Sequence, residues 1–232
     1  MATLAQDTFT ATSNENLEAH TPDIGSGWTK ISGATAVVRA SDDRLTNTSE
    51  AFYKNGTVPG NADYDVSLDA GEYVGSGWEF RICGRINGAS NDRYEGGRET
   101  IGGNQWRTIS KYVGGARTQL SGTIFPTVAT GQTWRLNMVG AAIKLFQAGS
   151  QVESVTDSDV TAIGVAGLRG TGVGGGEGWA DNFLLEGTAG GGGGVPPKPI
   201  FRIFRSGLSG FDFFVAGLAW IIGRRNRLRG GE

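Results

Sequence analysis

The stretch TWRLNMVGAAIKLFQAGSQV, residues 133–152, decides the fold class. Trp134, Leu136 and Met138 alternate with polar residues, which is the period expected of a strand with one buried face. A glycine-alanine pair then permits a turn, and the alternation resumes at Ile143. A second turn in QAGS leads towards a third apolar run. These residues therefore predict consecutive antiparallel strands, which form a β-meander.

The same pattern continues on both sides of this stretch. WEFRIC, residues 78–83, alternates in the same way, and 40 glycines separate short runs of this kind. No window longer than about ten residues has the apolar spacing of a helix before residue 198. A chain of 232 residues has room for one large β domain with an appendage. The sequence predicts an all-β, two-sheet antiparallel sandwich.

Four segments along the chain carry a resemblance to a known family. They are DTFT…LEAHTPDIGSGWTK, YDVSLDA…GWEFRICGR, the meander with its flanks, and GVAGLRGTG…GWADNFLLEG. In this order they resemble the concanavalin A-like jelly-roll domains of laminin G and glucanase type, which occur in bacterial surface proteins and phage virion proteins. The resemblance covers roughly residues 7–187. It implies sheets of about six or seven strands each, with DNFLLEG, residues 181–187, returning beside the N-terminal strand.

The resemblance raises the question of a glycoside hydrolase. Retaining glucanases of this superfamily carry a Glu-x-Asp-x-x-Glu run on one strand, because double displacement needs two carboxyls about 5 Å apart. The sequence has no such run, and Asp63, Asp65 and Asp69 lack a glutamate at the required spacing. His20, the single histidine, has no recognisable nucleophile and orienting acid. We therefore expect that the protein is not an enzyme.

Candidate metal ligands are sparse in the sequence. Asp157 and Asp159, or Asp181 beside Asn182, carry the oxygen atoms that calcium prefers. Such residues also cap turns by accepting hydrogen bonds from backbone amides, and we favour this interpretation. The single cysteine, Cys83, excludes a multi-cysteine metal site. We expect no metal and no cofactor.

Glycan binding requires an aromatic platform and a few planar hydrogen-bonding groups. Such groups are concentrated between residues 81 and 111, and the candidate ligand-binding residues are Arg81, Arg85, Tyr94, Trp106 and Arg107. The aromatic residues among them can equally pack in the core of the sheet. The segment GRINGASNDRYEGGRET, residues 84–100, is rich in glycine and is expected to be a long, exposed or mobile loop.

Composition changes sharply near the C-terminus. Five consecutive glycines and a proline-rich stub predict a hinge at residues 188–199, between a sandwich at 1–187 and a tail at 200–232. Residues 198–232 carry seven basic and two acidic side chains, in a chain whose formal net charge is −2. The body is therefore acidic and the tail basic, which suggests that the tail contacts something other than solvent.

The tail is expected to be helical and to anchor the protein. Its apolar residues recur at three- and four-residue intervals and can dock in a groove of a partner subunit. These docking positions are Phe204, Leu208, Phe211, Val215, Leu218 and Ile222. The same segment is near the shortest length that spans a bilayer, so membrane contact is the alternative. The basic residues that follow can contact acidic protein, anionic lipid or packaged nucleic acid, and no other nucleic-acid contact is expected. They are Arg224, Arg225, Arg227 and Arg229.

Three functional hypotheses follow from these features. The favoured one is a phage virion component, namely a capsid decoration, fibre or spike, that displays a glycan-binding-type jelly roll and contacts other virion subunits or its own copies. The alternative is a carbohydrate-binding module on the bacterial cell surface with a membrane-anchored tail. The N-terminal residues resemble no secretory signal, which favours the virion. A glycoside hydrolase is the third hypothesis.

Overall fold

The computed structural model describes residues 1–47, 49–72, 79–124, 131–171 and 178–189. These residues form sixteen strands, and within these ranges there is no helix that could cross a membrane. The first eight strands are β1 (Ala2–Asp7), β2 (Glu15–Asn16), β3 (Trp28–Gly33), β4 (Val37–Arg39), β5 (Arg44–Asn47), β6 (Ala51–Asn55), β7 (Pro59–Glu72) and β8 (Glu79–Asn87). The others are β9 (Asp92–Ile101), β10 (Asn104–Val113), β11 (Ala116–Ile124), β12 (Gln132–Val139), β13 (Ala142–Gln147), β14 (Ser150–Thr156), β15 (Val165–Thr171) and β16 (Gly178–Ala189).

The strands form two antiparallel sheets. The larger has nine strands in the order β14-β13-β12-β7-β16-β5-β4-β2, with β1 added on β16. The smaller has seven strands in the order β11-β10-β9-β8-β15-β6-β3. The predicted all-β sandwich is confirmed. The expected six or seven strands are found in the smaller sheet, whereas the larger sheet is wider because short strands extend its edge.

The meander predicted from residues 133–152 is present. Leu136 of β12 lies opposite Leu145 of β13, and Met138 lies opposite Ile143. Strand β14 then pairs with β13, as the second turn predicts. The alternating apolar residues of β12 are fully buried in the core between the sheets. Burial of one face per strand is therefore what fixes the register here.

The last described strand joins the two ends of the domain. Phe183 of β16 lies opposite Asp7 of β1, and the same strand pairs with β7 on its other side. The return of DNFLLEG beside the N-terminal strand is thus confirmed. Strand β16 extends through Ala189. The rest of the hinge and the whole tail, residues 190–232, lie outside the described residues, so the predictions made for them stay predictions.

A buried polar group fixes the segment that follows β1. His20 lies between two carboxylates, with its Nε2 2.9 Å from Asp7 and its Nδ1 2.6 Å from Glu15. The second oxygen of Asp7 accepts a hydrogen bond from the indole of Trp28. Burial opposes the charge on His20, but the two carboxylates outweigh burial and raise the pKa of the imidazole to about 9. His20 is therefore a charged structural link at neutral pH.

Candidate functional site

The outer face of the seven-stranded sheet carries an unusual concentration of charged side chains. Phe80 and Ile82 of β8 point into the core. Because successive side chains of a strand point to opposite faces, Arg81 and Cys83 point outward. On β10, Ile109 points into the core, and its neighbours Thr108 and Ser110 point outward. The outward residues are nevertheless buried, because they cover one another.

Strand β9 adds the acidic residues of this face. Tyr94 lies in the core, and a Cβ placed on Gly96 would lie 2.8 Å from Leu136 Cδ1 of the other sheet. The inward positions of β9 are thus Tyr94 and Gly96. Glu95 and Glu99 lie an even number of positions apart along the strand, so both point to the outer face. Two glutamates therefore share one face of one strand.

The expectation of a long loop at residues 84–100 is wrong. Strand β8 continues to Asn87 and β9 begins at Asp92, so that a tight turn at residues 88–91 is all that separates them. The glycines have a packing role instead of a flexible one. A Cβ on Gly84 would lie 2.3 Å from Met138 Cε, so the absence of a side chain there allows the other sheet to approach.

Glu95 is the buried centre of the charged cluster. None of its surface is exposed, and one of its oxygens accepts a hydrogen bond of 2.7 Å from Arg93 Nε and lies 2.7 Å from Arg93 Nη2. Its other oxygen lies 3.4 Å from Arg169 Nη1 and 3.9 Å from Arg81 Nε. Burial raises the pKa of this carboxyl, but the three guanidinium charges outweigh burial and hold the pKa below its ordinary value. Glu95 is therefore ionised at neutral pH.

Glu99 lies nearer the surface, with 17% of its side chain exposed. Arg81 Nη1 is 3.0 Å from its carboxylate, the Thr108 hydroxyl donates to it at 3.0 Å, and Arg117 approaches from β11. Arg81 also donates to the Thr108 hydroxyl at 2.7 Å. A single guanidinium, that of Arg81, thus lies between the two glutamates of β9.

Aromatic rings complete the cluster. The guanidinium carbon of Arg93 lies 4.1 Å from the ring centre of Phe52 and 3.7 Å from that of Tyr112. Arg169 donates a hydrogen bond of 2.5 Å to the Tyr112 hydroxyl and another to Glu50 at the surface. These stacked and bidentate contacts immobilise the arginines.

Trp106 of β10 lies on the same outer face. It lies directly opposite Glu99 in the pairing of β10 with β9. A Cβ on Gly122 of β11 would lie 3.4 Å from Trp106 Cε3, so the indole packs beside a position that has no side chain. The indole is half-buried. A partly exposed aromatic surface therefore lies next to a partly exposed carboxylate.

The structure separates the five residues predicted to bind a ligand. Arg81 and Trp106 lie on the outer face described above. Arg85 instead donates hydrogen bonds to backbone carbonyls, and the hydroxyl of Tyr94 donates to Asp157. Side chains alternate along β10, so Arg107 points to the opposite face of the sheet from Thr108. The five do not form one site, and their role in glycan binding stays a prediction.

The candidate metal ligands are engaged in other interactions. Asp157 accepts hydrogen bonds from Tyr94, Lys111 and the backbone amide of Asp159, as the turn-cap interpretation predicts. Burial, and after it the charge of Asp69, raise the pKa of Asp181 to about 6. Among the residues that the structure describes, no three His, Cys, Asp or Glu side chains are placed to hold a metal ion.

Most of the cluster was not predicted from the sequence. Arg81 is among the predicted ligand-binding residues, but the residues that surround it are not, namely Glu95, Glu99, Arg93, Arg117 and Arg169. The signal was the spacing of four between the glutamates in EGGRE, residues 95–99, since such residues share a face of a strand. The assignment of this segment to a loop hid that signal.

Comparison with known proteins identifies the fold. No family model matches the sequence, and no curated protein is significantly similar to it. Among solved structures, the carbohydrate-binding module CBM66 from Bacillus subtilis is similar, with a TM-score of 0.54 and 16% identity over 69% of this chain and 96% of that chain. The fold is a concanavalin A-like jelly roll.

Two further solved structures with this jelly roll come from work on glycan-cleaving enzymes. One is the catalytic domain of an endo-1,3-β-glucanase (laminarinase) from Thermotoga petrophila, with a TM-score of 0.51 and 11% identity over 78% of this chain and 95% of that chain. The other was determined in a study of endo-acting O-glycanases of the human gut microbiota, with a TM-score of 0.56 and 11% identity over 79% of this chain and 98% of that chain.

These findings correct one prediction. The expectation that the protein is not an enzyme is wrong, because glycan-cleaving enzymes are prominent among the structures that share the fold. That expectation rested on the spacing of one glucanase motif and on the surroundings of His20, and it did not take account of Glu95 and Glu99, which share the outer face of β9. The structural similarity establishes the fold of the jelly roll. Sequence identities of 11% and 16% are too low to indicate its substrate.

Proposed function

We propose that this protein recognises carbohydrate on the outer face of the seven-stranded sheet. The observation that carries the proposal is the placement of Trp106 opposite Glu99, with Arg117 and Arg81 holding the carboxylate. Sugars are bound by stacking on an aromatic ring and by hydrogen bonds to planar polar groups. This part of the outer face offers both kinds of group side by side.

The rigidity of the cluster supports the same proposal. Glu99 is oriented by Arg81, Arg117 and the Thr108 hydroxyl. Arg81 lies between Glu99 and Glu95 and also donates to Thr108, and Arg117 also donates to the Ser110 hydroxyl. Side chains that are already ordered lose little conformational entropy when a ligand binds. The buried layer around Glu95 therefore supports the partly exposed groups that contact the sugar.

Binding to a glycan array tests the proposal. We expect Trp106→Ala to lower the affinity for the bound glycan at least about tenfold, because a large stacking surface is lost. Phe146→Ala is the matched control, since Phe146 is a half-buried aromatic residue of the other sheet that stacks with Arg135. The control should bind as the unchanged protein does. Equal losses in both variants, or no binding to any glycan, would refute the proposal.

A second candidate function is the cleavage or transfer of glycosidic bonds. Glu95 and Glu99 favour it, because a retaining mechanism needs two carboxyls on one face. The charges around Glu95 keep it ionised, as a nucleophile requires, although its surface is fully buried. Glycans recovered after the binding experiment decide this point. Shortened or rearranged chains would support the second function, and unchanged chains would exclude it for those glycans.

The setting of this recognition is a separate proposal. We propose that the jelly roll is displayed on a phage particle and contacts other virion subunits or its own copies through the tail. The support is the hinge and the apolar, basic sequence of residues 188–232. The full chain should form a defined multimer without detergent, and a chain ending at Ala189 should be monomeric by light scattering. Dependence of the full chain on detergent would support a membrane-anchored cell-surface module instead.

A further inference from the structure

We infer that the ligand of this outer face is an anionic glycan, whose carboxylate or sulfate groups are bound by arginines around Tyr112. This inference rests on the proposed function, since it names the class of carbohydrate that the same face recognises. The arginines concerned are Arg93, Arg117 and Arg169, which we call the arginine trio. Three independent features of the described residues support it.

The first feature is the arrangement of the trio around one ring. Arg93 stacks on Tyr112 at 3.7 Å, and Arg169 donates a hydrogen bond to the Tyr112 hydroxyl. Arg117 lies directly opposite Tyr112 in the pairing of β11 with β10. Three guanidinium groups thus lie around a single side chain. Arg117 is 32% exposed, so a ligand at the surface can reach it.

The second feature is an excess of positive charge. Together with Arg81, the trio provides four guanidinium groups, and the carboxylates that pair with them are Glu50, Glu95 and Glu99. Glu50 is 57% exposed, so solvent weakens its contribution. Four guanidinium groups thus face two well-buried carboxylates and one that is largely exposed. This excess of positive charge favours an anion at this face.

The third feature is an unpaired donor inside the cluster. Arg81 has 1% of its side chain exposed, and its buried Nε has no hydrogen-bond partner among the described residues. The closest carboxylate to it is Glu95, at 3.9 Å, which exceeds the length of a hydrogen bond. The carboxylates of this face thus leave one donor of Arg81 unused. A carboxylate or sulfate on a ligand accepts from several guanidinium donors at once, whereas a neutral hydroxyl cannot balance their charge.

Pairs of polysaccharides that differ in their anionic groups test the inference. Polygalacturonate and its methyl ester form one pair, and a sulfated galactan and its desulfated form make the other. We expect the unchanged protein to bind an anionic member at least about tenfold more tightly than its neutral partner, with an affinity that falls as salt is added. Equal affinity within both pairs would overturn the inference. Binding to neutral array glycans alone would also overturn it, and would leave the proposed function intact. No binding to any glycan would overturn both.

Variants then locate the anion. Arg117→Gln should lower the affinity for the anionic polymer at least about tenfold more than it lowers the affinity for the neutral polymer, because the lost charge acts on the anionic groups alone. Arg135→Gln is the control, because Arg135 is a similarly exposed arginine of the other sheet that also pairs with a carboxylate and stacks on a ring. Equal losses for both polymers with Arg117→Gln would overturn the assignment to the trio. If that variant fails to fold, the comparison within the polymer pairs still decides.

Discussion

Glu95→Gln is expected to lower the free energy of unfolding by about 3 kcal/mol or more, because breaking a buried ion pair leaves its partner charges uncompensated. Arg81, Arg93 and Arg169 all approach this one carboxylate, which has no exposed surface. Glutamine has nearly the same shape but no charge, so the three guanidinium groups would repel one another. Urea unfolding at neutral pH measures the loss.

Glu50→Gln provides the matched control. It removes the same charge and also affects Arg169, but Glu50 lies at the surface. Exposed ion pairs contribute about 1 kcal/mol or less, so this variant should be almost as stable as the unchanged protein. Similar losses in the two variants would contradict the idea that burial of Glu95 makes its charge essential.

The same carboxylate gives a defined pH dependence. The pKa of Glu95 in the folded protein lies below its ordinary value of 4.5, so the folded state holds the proton less tightly than the unfolded chain. Its contribution is fully present above the unfolded pKa and is lost as the pH falls through the folded pKa. Acidification from about pH 6 to about pH 3 should therefore destabilise the unchanged protein more than Glu95→Gln. An equal decrease in both would show that Glu95 is not the group responsible.

Some of these features could be predicted from sequence because they depend on burial along single strands. Trp134, Leu136 and Met138 of β12 alternate with polar residues, and all three are buried in the core. The return of β16 beside β1 followed from a family resemblance and not from periodicity. Local pattern and resemblance together were sufficient for the sandwich.

The charged cluster was missed because a glycine-rich segment looks the same whether it is flexible or packed. Gly84 and Gly96 are glycines because Met138 and Leu136 of the other sheet occupy the space that a side chain would fill. Sequence alone shows the glycines and not the residues that pack against them. A strand interpretation of EGGRE, residues 95–99, requires knowledge of the facing sheet.

Arg85 shows a second limit of sequence periodicity. It has the same parity as Arg81, so strict alternation predicts that both lie on the outer face. The pairing of β8 with β9 is interrupted after Gly84, and Arg85 has a φ of 54°. This irregularity redirects the side chain, so that it contacts the backbone of the other sheet and of the loop before β15. A single bulge therefore separates two arginines that appear equivalent in the sequence.

Arg85→Lys is expected to lower the free energy of unfolding by about 3 kcal/mol or more, although the charge is kept. The three donor nitrogens of Arg85 each bind a different backbone carbonyl. Nε donates to Ala62 at 2.9 Å, Nη1 to Val160 at 3.1 Å and Nη2 to Gly140 at 2.8 Å. These carbonyls belong to three separate segments of the chain. A lysine ammonium lacks the planar fork, so it leaves at least one buried carbonyl without a donor.

Arg135→Lys is the control for this experiment. Arg135 bonds to Asp65 at 2.7 Å and lies at the surface of the nine-stranded sheet, where water can replace a lost donor. This variant should lose about 1 kcal/mol or less. The loss in Arg85→Lys should also be accompanied by faster hydrogen exchange near Ala62, Gly140 and Val160, because Arg85 joins their segments. A small loss with unchanged exchange would show that the three segments are held together without the guanidinium.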